Sequence, residues 1–493
     1  MALRVYNTLT RKKEAFQPIE PGKIGIYACG ITVYDLCHIG HARSAIVFDI
    51  INKYLQYLGF EVTFIKNFTD VDDKIIDRAH AEGCDIKGIT EKYIEAHNRD
   101  MDALGVARPT IAPRATENIE GMIRLITTLF EKGLAYYADG DVYYAVEKFK
   151  GYGKLSGRKL EDMLAGARVD INEKKRNPMD FALWKASKEG EPWWDSPWGK
   201  GRPGWHIECS VMSQRYLGDT FDIHGGGEDL IFPHHENEIA QSEGATGKPL
   251  ARYWLHNGFV RVNSEKMSKS LGNFSTIQDM LLDYHPEVLR LFVLQSHYRS
   301  PVDFSDESLR DARMGMDRFY STLKAMKDSL ARHGGTIDEW KGSLAEENRQ
   351  VLEKIMTLPE RFTEAMDDDF NTARAIGHLY DAVRILNSYM AERQNEPAPE
   401  TGYVLVRSRE ILLRIGAVLG LFLDAPDHYF DMDRNREAPK RGLNIEEIEG
   451  LIEARRLARA QKDWKKADEI RQVLVEKKVS LKDTSDRTVW KIE

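Results

Sequence analysis

Short apolar runs and segments of helical periodicity alternate in the N-terminal part of the chain. Residues 24–29 form an apolar run typical of a buried strand, residues 45–58 carry apolar positions at helical spacing, and residues 61–65 form a second strand-like run. A strand, a helix and a second strand in this order predict a βαβ unit with parallel strands. We therefore expect an α/β fold with a Rossmann-type parallel sheet.

This alternation is interrupted between residues 116 and 204. A helical stretch there is followed by a short strand-like run and a segment rich in Trp, Pro and Gly, whereas strand-like runs resume at residues 220–224 and 253–257. The pattern indicates an insertion within one α/β domain. We predict that residues 1–115 and 205–260 are the two halves of this domain, separated in sequence and joined in space.

The C-terminal part of the chain has a different pattern. Residues 261–305 contain a polar, lysine-containing loop, and residues 306–423 carry apolar positions at helical spacing with few strand signals. The latter pattern predicts a helix bundle. Residues 424–442 are rich in Asp, Arg and Pro, and we expect them to be a linker to a small terminal module, residues 443–493.

Composition narrows the class of protein. A net charge of -8, from 70 basic and 78 acidic residues, argues against a chain that coats nucleic acid indiscriminately but allows a specific RNA partner. The four cysteines are irregularly spaced and form a poor disulfide framework, so they are better candidates for metal ligands in a reducing compartment. Residues 1–10 contain neither an apolar stretch of the signal-peptide type nor an Arg- and Ser-rich amphipathic stretch, and the sequence contains no apolar run of about 18 residues. We expect a cytoplasmic, monomeric protein that does not enter a membrane.

Two short motifs carry the strongest chemical signal. The string His38-Ile39-Gly40-His41 follows the first predicted strand and opens a helix, where unpaired backbone N–H groups and the positive end of the helix dipole favour an anion. The string Lys266-Met267-Ser268-Lys269-Ser270 lies more than 200 residues later in a polar loop. A lysine-rich loop alone is usually a solvated surface. Together the two strings predict a site for the phosphates of ATP.

A second constellation has the residue types of a metal site. His234 and Glu238 are four residues apart, so a helix would place both on one face, and Cys29 and Cys209 each lie at a strand end or turn of the α/β domain. Three other residues compete as ligands, namely His235, His224 and Cys37. Two thiolates and an imidazole favour zinc over calcium or magnesium. Four protein ligands are typical of a structural zinc site, so substrate binding there requires a fifth ligand or a loosened Glu238.

The two strings are the signature motifs of class I aminoacyl-tRNA synthetases, and the chain resembles the cysteinyl-tRNA synthetase family along nearly its whole length. The matching blocks are residues 27–35, 67–74, 204–210, 222–230 and 233–238. The resemblance implies ATP-dependent activation of L-cysteine to cysteinyl adenylate and transfer to the 3' end of tRNA(Cys), with Mg2+ accompanying ATP. It also implies one Zn2+ per chain that takes the substrate thiol, a stem-contact role for residues 261–305, tRNA binding by the bundle and anticodon binding by the terminal module.

A metal is a sensible device for this substrate. Cysteine and serine differ by one atom, and an ordinary pocket separates such near-isosteres by only about 10- to 200-fold. A thiol ionises readily and suits zinc, whereas an alcohol is far harder to ionise and is a poorer ligand in a thiolate-rich site. We expect that zinc selects the thiol and makes editing unnecessary.

The resemblance assigns roles residue by residue. It implies catalytic roles for His38, His41, Lys266 and Lys269. It implies ATP contacts for Gly40, Gly227, Asp229, Ser268 and Ser270. It implies that the amino acid is bordered by Thr32, Thr69, Trp205 and His224, and that the zinc ligands are Cys29, Cys209, His234 and Glu238.

Anticodon contacts are implied for Arg459, Trp464, Asp468 and Asp483. Cations interleaved with an aromatic side chain suit single-stranded bases, although without the family this segment would be taken as a solvated amphipathic helix with Trp464 half-buried. The final turn, residues 483–490, departs from the family pattern because it lacks an expected glycine.

Three other functions compete with a synthetase for cysteine. A related ligase passes activated cysteine to an amino sugar but lacks the complete tRNA-reading module. A non-catalytic RNA-binding protein on a synthetase scaffold would be expected to lose motif lysines or zinc ligands, and all are present here. A class I synthetase for another amino acid would not be expected to carry the Cys/Cys/His/Glu set.

Overall fold

The computed structural model describes residues 2–159, 174–262, 265–266, 275–332, 340, 342–393, 398–483 and 488–492. The strands are β1 Arg4–Asn7, β2 Lys12–Ala15, β3 Lys23–Thr32, β4 Glu61–Thr69, β5 Ala135–Ala138, β6 Asp141–Tyr144, β7 Phe181–Ala186, β8 Gly201–Pro203, β9 Phe221–Gly227, β10 Ala251–Asn257, β11 Val260–Val262, β12 Glu265–Lys266, β13 Val302–Phe304, β14 Val479–Asp483 and β15 Thr488–Ile492.

The α-helices are α1 Ile39–Tyr57, α2 Asp73–Glu82, α3 Ile86–Ala103, α4 Ile119–Glu131, α5 Trp205–Leu217, α6 Glu236–Thr246, α7 Ile277–Asp283, α8 Pro286–Leu294, α9 Asp306–Arg332, α10 Glu346–Met356, α11 Leu358–Met366, α12 Thr372–Glu392, α13 Pro399–Leu419, α14 Pro426–Lys440, α15 Ile445–Ala460 and α16 Trp464–Glu476. Short 3-10 turns lie at Ala115–Asn118, Val146–Lys148 and Glu228–Leu230, and a π turn lies at Ile231–His235.

A parallel sheet forms the centre of the catalytic half, with the strand order β10-β9-β3-β4. Strands β3 and β4 are joined by α1, which gives the predicted βαβ unit. Strand β9 pairs with the other edge of β3, although about 190 residues separate them in the chain. The predicted α/β fold, with a parallel sheet split by an insertion and followed by a helical region, is confirmed.

The elements between the two halves of this sheet form a separate layer. Strands β5 to β8 make an antiparallel four-stranded sheet, and α4 packs on it through an apolar face. Its core includes Met122, Leu129, Val142 and Trp184, all fully buried. These elements lead through β8 into α5, so the second half of the parallel sheet starts directly after them.

Buried polar contacts join the catalytic half to the helical half. Helix α1 is buried along most of its length, and its Asp49 forms an ion pair of 2.8 Å with Arg290 of α8, both side chains being inaccessible to solvent. Arg290 also donates to the carbonyl of Leu419 at the end of α13. The Arg290 guanidinium therefore links α1 to α8 and to the end of α13, within an apolar core that both halves share.

The prediction that residues 424–442 are a linker is wrong, because most of this segment is helix α14. Tyr429 of α14 is fully buried and stacks on Tyr320 of α9 with ring centroids 4.1 Å apart. Arg313 of α9 also forms a bidentate contact with Asp433 at 2.7 and 2.9 Å. The segment looks like a linker in sequence because its single large buried side chain is surrounded by charged residues whose partners lie on another helix.

The terminal module has a small core of its own. Helices α15 and α16 pack against the hairpin of β14 and β15 around Ile448, Leu474, Val479 and Trp490. Arg434 of α14 lies over the Trp490 ring at 4.8 Å from its centroid. Within the described part of the chain, no helix is long and apolar enough to cross a membrane.

Candidate active site

The candidate site lies where the strand order of the parallel sheet reverses. Strands β3 and β9 are neighbours whose connections run to opposite sides, and ligands of open α/β sheets bind outside the carboxyl ends of such strands. Tyr27 is paired with His224 and Ala28 with Gly225, so Cys29 follows at the mouth of this crevice. The pairing of β3 with β4 becomes irregular between Ala28 and Ile31.

A glycine is required at this irregularity. The Gly30 N–H donates to the Asn67 side-chain oxygen at 2.9 Å, and a Cβ on Gly30 would overlap the Asn67 main-chain carbonyl. The close approach of β3 and β4 places the amide of Asn67 3.8 Å from the Cys209 sulfur. Asn67 thus connects the strand ends to the cysteine pair.

The four residues proposed as metal ligands converge in this crevice from four elements. Cys29 lies in β3, Cys209 in α5, His234 in the π turn and Glu238 in α6, and all four are buried. The two sulfur atoms are 3.8 Å apart, Cys29 Sγ is 3.4 Å from Glu238 Oε1, and His234 Nε2 is 3.0 Å from the same oxygen. One donor atom from each residue lies within 4.8 Å of the others.

Charge in this cluster suits a cation. A hydrogen bond from the Cys29 thiol lowers the pKa of Cys209 to about 6, whereas burial raises the pKa of Cys29 well above its usual value. Burial raises the pKa of Glu238, but His224 and His234 outweigh this effect and hold it well below the usual range. Burial lowers the pKa of His234, but Glu238 and Cys209 outweigh this effect and raise it to about 10. Cys209 and Glu238 are thus favoured as anions in a dry environment, where they attract a cation.

Two of the three competing ligands are also in the cluster. His224 Nε2 lies 2.8 Å from the other Glu238 oxygen, and His235 Nε2 lies 3.3 Å from Cys29 Sγ. A second group of four, Cys29, His224, His235 and Glu238, meets the same 4.8 Å criterion. Cys37 is not part of either group, and its sulfur contacts His97 Nδ1 at 3.3 Å.

Residues expected around the amino acid surround this cluster. Trp205 is the first residue of α5 and stacks on His234 with centroids 4.2 Å apart, yet 39% of it remains exposed. Thr69 Oγ1 donates to the buried Glu208 carboxyl at 2.8 Å. Thr32, the last residue of β3, is paired with Thr69 across the two strands. The crevice is thus lined by the aromatic ring of Trp205 and by polar side chains that include Thr69.

The His38–His41 motif forms the turn into α1. His38 caps the helix, its Nδ1 accepting from the Gly40 N–H at 3.0 Å, and the His38 N–H donates to His41 Nδ1 at 3.3 Å. The two rings stack with centroids 3.8 Å apart. Both imidazoles are therefore fixed beside the N-terminus of α1, where the helix dipole favours phosphate.

The glycines at the end of β9 allow close approach on the other side of the crevice. A Cβ on Gly225 would run into the Phe48 ring of α1, and one on Gly227 would overlap the Asp229 carboxylate. Gly227 and Asp229, both expected to contact ATP, are thus adjacent at the carboxyl end of β9.

Comparisons with known proteins agree with this geometry. The model described as tRNA synthetases class I (C) catalytic domain matches residues 15–314, and the DALR domain model matches residues 361–423. Proteins named Cysteine--tRNA ligase from Pelobacter propionicus and Geobacter metallireducens are each 55% identical to this chain over 493 residues, and each match covers 100% of both chains. The chain belongs to the cysteine–tRNA ligase family. It is a class I aminoacyl-tRNA synthetase, which confirms the resemblance.

Solved structures support the fold assignment. A Mycobacterium tuberculosis methionyl-tRNA synthetase in complex with methionyl-adenylate has a TM-score of 0.62 at 16% identity, covering 80% of this chain and 90% of that chain. A putative arginyl tRNA synthetase from Campylobacter jejuni has a TM-score of 0.58 at 12% identity, covering 83% of this chain and 95% of that one. At 16% and 12% identity, these two similarities concern only the fold of the chain.

The lysine motif is described only at its start. Lys266 lies in β12, where its backbone pairs with Arg261 of β11, while Lys269, Ser268 and Ser270 lie outside the described residues and their roles stay predictions. The chain that follows returns to the histidine motif. Thr276 bridges to the His38 backbone, and the Ile277 N–H donates to the Cys37 carbonyl at 2.9 Å. Thr276 and Ile277, which follow the lysine motif in the chain, are therefore adjacent to the histidine motif.

Three of the four expected anticodon residues lie on the surface of the terminal module. Arg459 is near the end of α15, and Trp464 and Asp468 are one turn apart on α16. Trp464 is 59% exposed, so it does not have the half-buried position of an ordinary amphipathic helix. Asp483 ends β14, and its side chain lies outside the described part of the structure.

Sequence reasoning missed several polar residues that support the site. His206 Nδ1 lies 2.9 Å from His234 Nδ1, and His256 Nε2 lies 2.8 Å from His235 Nδ1. The Asn67 contact to Gly30 was also missed. Asn67 and His206 both fall inside the sequence blocks that match the family, so their position in those blocks was the available signal.

Proposed function

We propose that the protein activates L-cysteine with ATP, transfers it to tRNA(Cys), and selects the thiol with a zinc ion held by Cys29, Cys209, His234 and Glu238. The observation that carries the proposal is the convergence of these four donor atoms within 4.8 Å at the switch point of the sheet. Four separate elements supply them, so the cluster does not arise from local sequence proximity alone.

The donor set suits zinc in both chemistry and spacing. Two Zn–S bonds of about 2.3 Å at a tetrahedral angle separate their sulfur atoms by about 3.8 Å, and the observed separation of Cys29 and Cys209 is 3.8 Å. The alternative group contains one sulfur and two imidazoles, a less thiolate-rich set. It also uses His224, whose contact with Glu238 fits the role of a partner that orients a metal ligand.

Thiol selection follows from the chemistry of such a site. Bound zinc supplies a position that accepts a thiolate readily and a neutral hydroxyl poorly. The chain's own residues bind the rest of cysteine: Trp205 borders the site as an aromatic wall, and Thr69 and Thr32 lie at the ends of β4 and β3. His224 Nδ1 is buried without a hydrogen-bond partner among the described residues, so it is available to the amino acid.

ATP binds across the two motifs in this proposal. His38 and His41 contact the phosphates at the N-terminus of α1, and Gly40 lets the nucleotide approach the backbone closely. Gly227 and Asp229 border the adenosine ribose. The cysteine carboxylate attacks the α-phosphorus in line, while Lys266 and Lys269 neutralise the departing pyrophosphate and Mg2+ accompanies ATP. Positioning and charge stabilisation are the main contributions of the protein to such a transfer.

The terminal module reads the anticodon through Arg459, Trp464, Asp468 and Asp483. Trp464 offers an exposed face for base stacking, which is worth about 1 to 3 kcal/mol per base. We expect Trp464→Ala to weaken tRNA(Cys) binding by roughly 5- to 150-fold and to leave cysteine-dependent ATP/pyrophosphate exchange unchanged. Equal tRNA affinity in the variant would contradict this assignment.

The direct test is exchange and aminoacylation by the purified protein. We expect cysteine to support ATP/pyrophosphate exchange, serine to fail, and labelled cysteine to be attached to tRNA(Cys) but not to a transcript with a changed anticodon. Comparable exchange with serine would refute thiol selection. Exchange with cysteine but transfer to an amino sugar instead of tRNA would identify the related ligase chemistry.

A further inference from the structure

Arg43 of α1 is a buried cation two residues beyond the histidine motif. Only 1% of it is exposed, and its guanidinium donates to three main-chain carbonyls. Nη1 donates to Phe259 at 2.6 Å, and Nη2 donates to Tyr298 at 3.1 Å and also to Ser300. One side chain thus holds two distant stretches of backbone against the start of α1.

These carbonyls lie next to the small sheet that contains Lys266, the first residue of the lysine motif. Phe259 directly precedes β11, and its carbonyl also accepts from the Val302 N–H of β13 at 2.9 Å. Strand β11 pairs with β13 on one side and with β12, which contains Lys266, on the other. A Cβ on Gly258 would lie 2.6 Å from the Arg299 carbonyl, so these two stretches are in close contact.

The chemistry of this contact differs from that of an ordinary buried ion pair. Among the described residues, no carboxylate lies within ion-pair distance of Arg43, whereas the equally buried Arg290 pairs with Asp49 at 2.8 Å. Burial lowers the pKa of Arg43 to about 10. The charge of Glu228 opposes this lowering of the pKa but does not cancel it. A buried cation that has no carboxylate in direct contact is unfavourable compared with a packed apolar side chain. Its advantage is geometric, because a planar guanidinium donates to several acceptors in fixed directions.

We infer that Arg43 is a positioning residue that fixes the His38–His41 turn relative to the strand carrying Lys266. This inference rests on the proposed function, in which both motifs act on ATP. Arg43 itself does not need to touch the nucleotide. Its effect is confined to the step that uses ATP and pyrophosphate, because the transfer of cysteine from the adenylate to tRNA involves neither the γ-phosphate nor the leaving pyrophosphate.

The test compares Arg43→Lys with Arg290→Lys, a matched change at a second buried arginine with carbonyl acceptors. Lysine keeps the charge but loses the planar fork. We expect Arg43→Lys to lower kcat for cysteine-dependent ATP/pyrophosphate exchange by about 10²-fold, the effect of a displacement near 1 Å, with the KM for cysteine unchanged. Single-turnover transfer from enzyme-bound cysteinyl adenylate to tRNA should change less than about 3-fold. Thermal unfolding of both variants checks that they fold.

Each outcome has a distinct meaning. The inference would be overturned if Arg43→Lys slowed activation and transfer by the same factor. It would also be overturned if the ratio of the activation rate to the transfer rate were the same in Arg43→Lys and Arg290→Lys. Either result would show that Arg43 is only structural. Unchanged exchange would also overturn the inference. Failure of the proposed function would appear separately, as an unmodified protein that shows no cysteine-dependent exchange.

Discussion

Replacement of Cys209 by serine tests the metal site directly. Cys209 is 2% exposed, lies 3.8 Å from Cys29, and has a pKa lowered to about 6 by the hydrogen bond from the Cys29 thiol. It is therefore largely a thiolate at neutral pH. A serine hydroxyl at this position stays neutral, so the variant replaces an anionic soft ligand by a weak one.

The expected loss can be worked from the ligand set. Zinc sites with four protein ligands contribute about 10 to 16 kcal/mol of binding free energy, so one ligand in four is worth roughly 3 kcal/mol. This corresponds to zinc affinity about 10²-fold lower, or somewhat more. The assay is competition between the protein and a fluorescent zinc chelator. Cysteine-dependent ATP/pyrophosphate exchange should fall in parallel and should no longer favour cysteine over serine.

Cys37→Ser is the matched control for this experiment. Cys37 is equally buried, at 1% exposure, but its sulfur contacts His97 Nδ1 and takes no part in the metal cluster. The control should keep one tightly bound zinc. If Cys209→Ser bound zinc as tightly as Cys37→Ser does, the proposed ligand set would be wrong.

Two further predictions concern stability. Burial raises the pKa of Asp427, but Lys324 and Lys327 outweigh this effect and hold the pKa below its usual value. The ionised carboxylate therefore stabilises the folded state. This stabilisation is fully present above the ordinary carboxyl pKa and is lost as the pH falls through the lowered pKa. Asp427→Asn should thus lower the free energy of unfolding in urea by about 1 kcal/mol at pH 7, given the partial exposure of these pairs. This difference should shrink progressively as the pH falls below the ordinary carboxyl pKa. Gly225→Ala should destabilise the protein by about 1 to 3 kcal/mol, because its Cβ would collide with Phe48.

Controls make both results interpretable. Gly377 of α12 has no described atom within 4 Å of where a Cβ would lie, so Gly377→Ala should stabilise the protein by about 0.5 to 1 kcal/mol. Similar destabilisation by both glycine variants would contradict the steric argument. A stability difference for Asp427→Asn that is independent of pH would contradict the electrostatic one.

The sequence alone predicted those elements of the catalytic half whose apolar residues follow a clear pattern. Apolar runs predicted β3, α1 and β4, because a buried strand and a half-buried helix each impose their own spacing on apolar residues. The His38–His41 string predicted a phosphate-binding turn, because the chemistry of such a turn depends on neighbouring backbone groups. The metal quartet required the family resemblance, since spacing alone left His235, His224 and Cys37 as alternatives.

Only the tertiary structure decided which distant residues meet. It showed that Cys37 lies outside the proposed metal cluster and that His224 and His235 lie beside it. The sequence could not show this, because local spacing does not encode the pairing of β3 with β9 or the approach of α5 to α6. The tertiary structure also showed that the charged segment 424–442 is mostly helix α14, whose side chains contact α9. It also revealed the contact of Arg43 with the sheet that carries Lys266, because carbonyl acceptors have no signature in a sequence. Local periodicity thus fixes elements, whereas packing fixes the juxtapositions on which the chemistry depends.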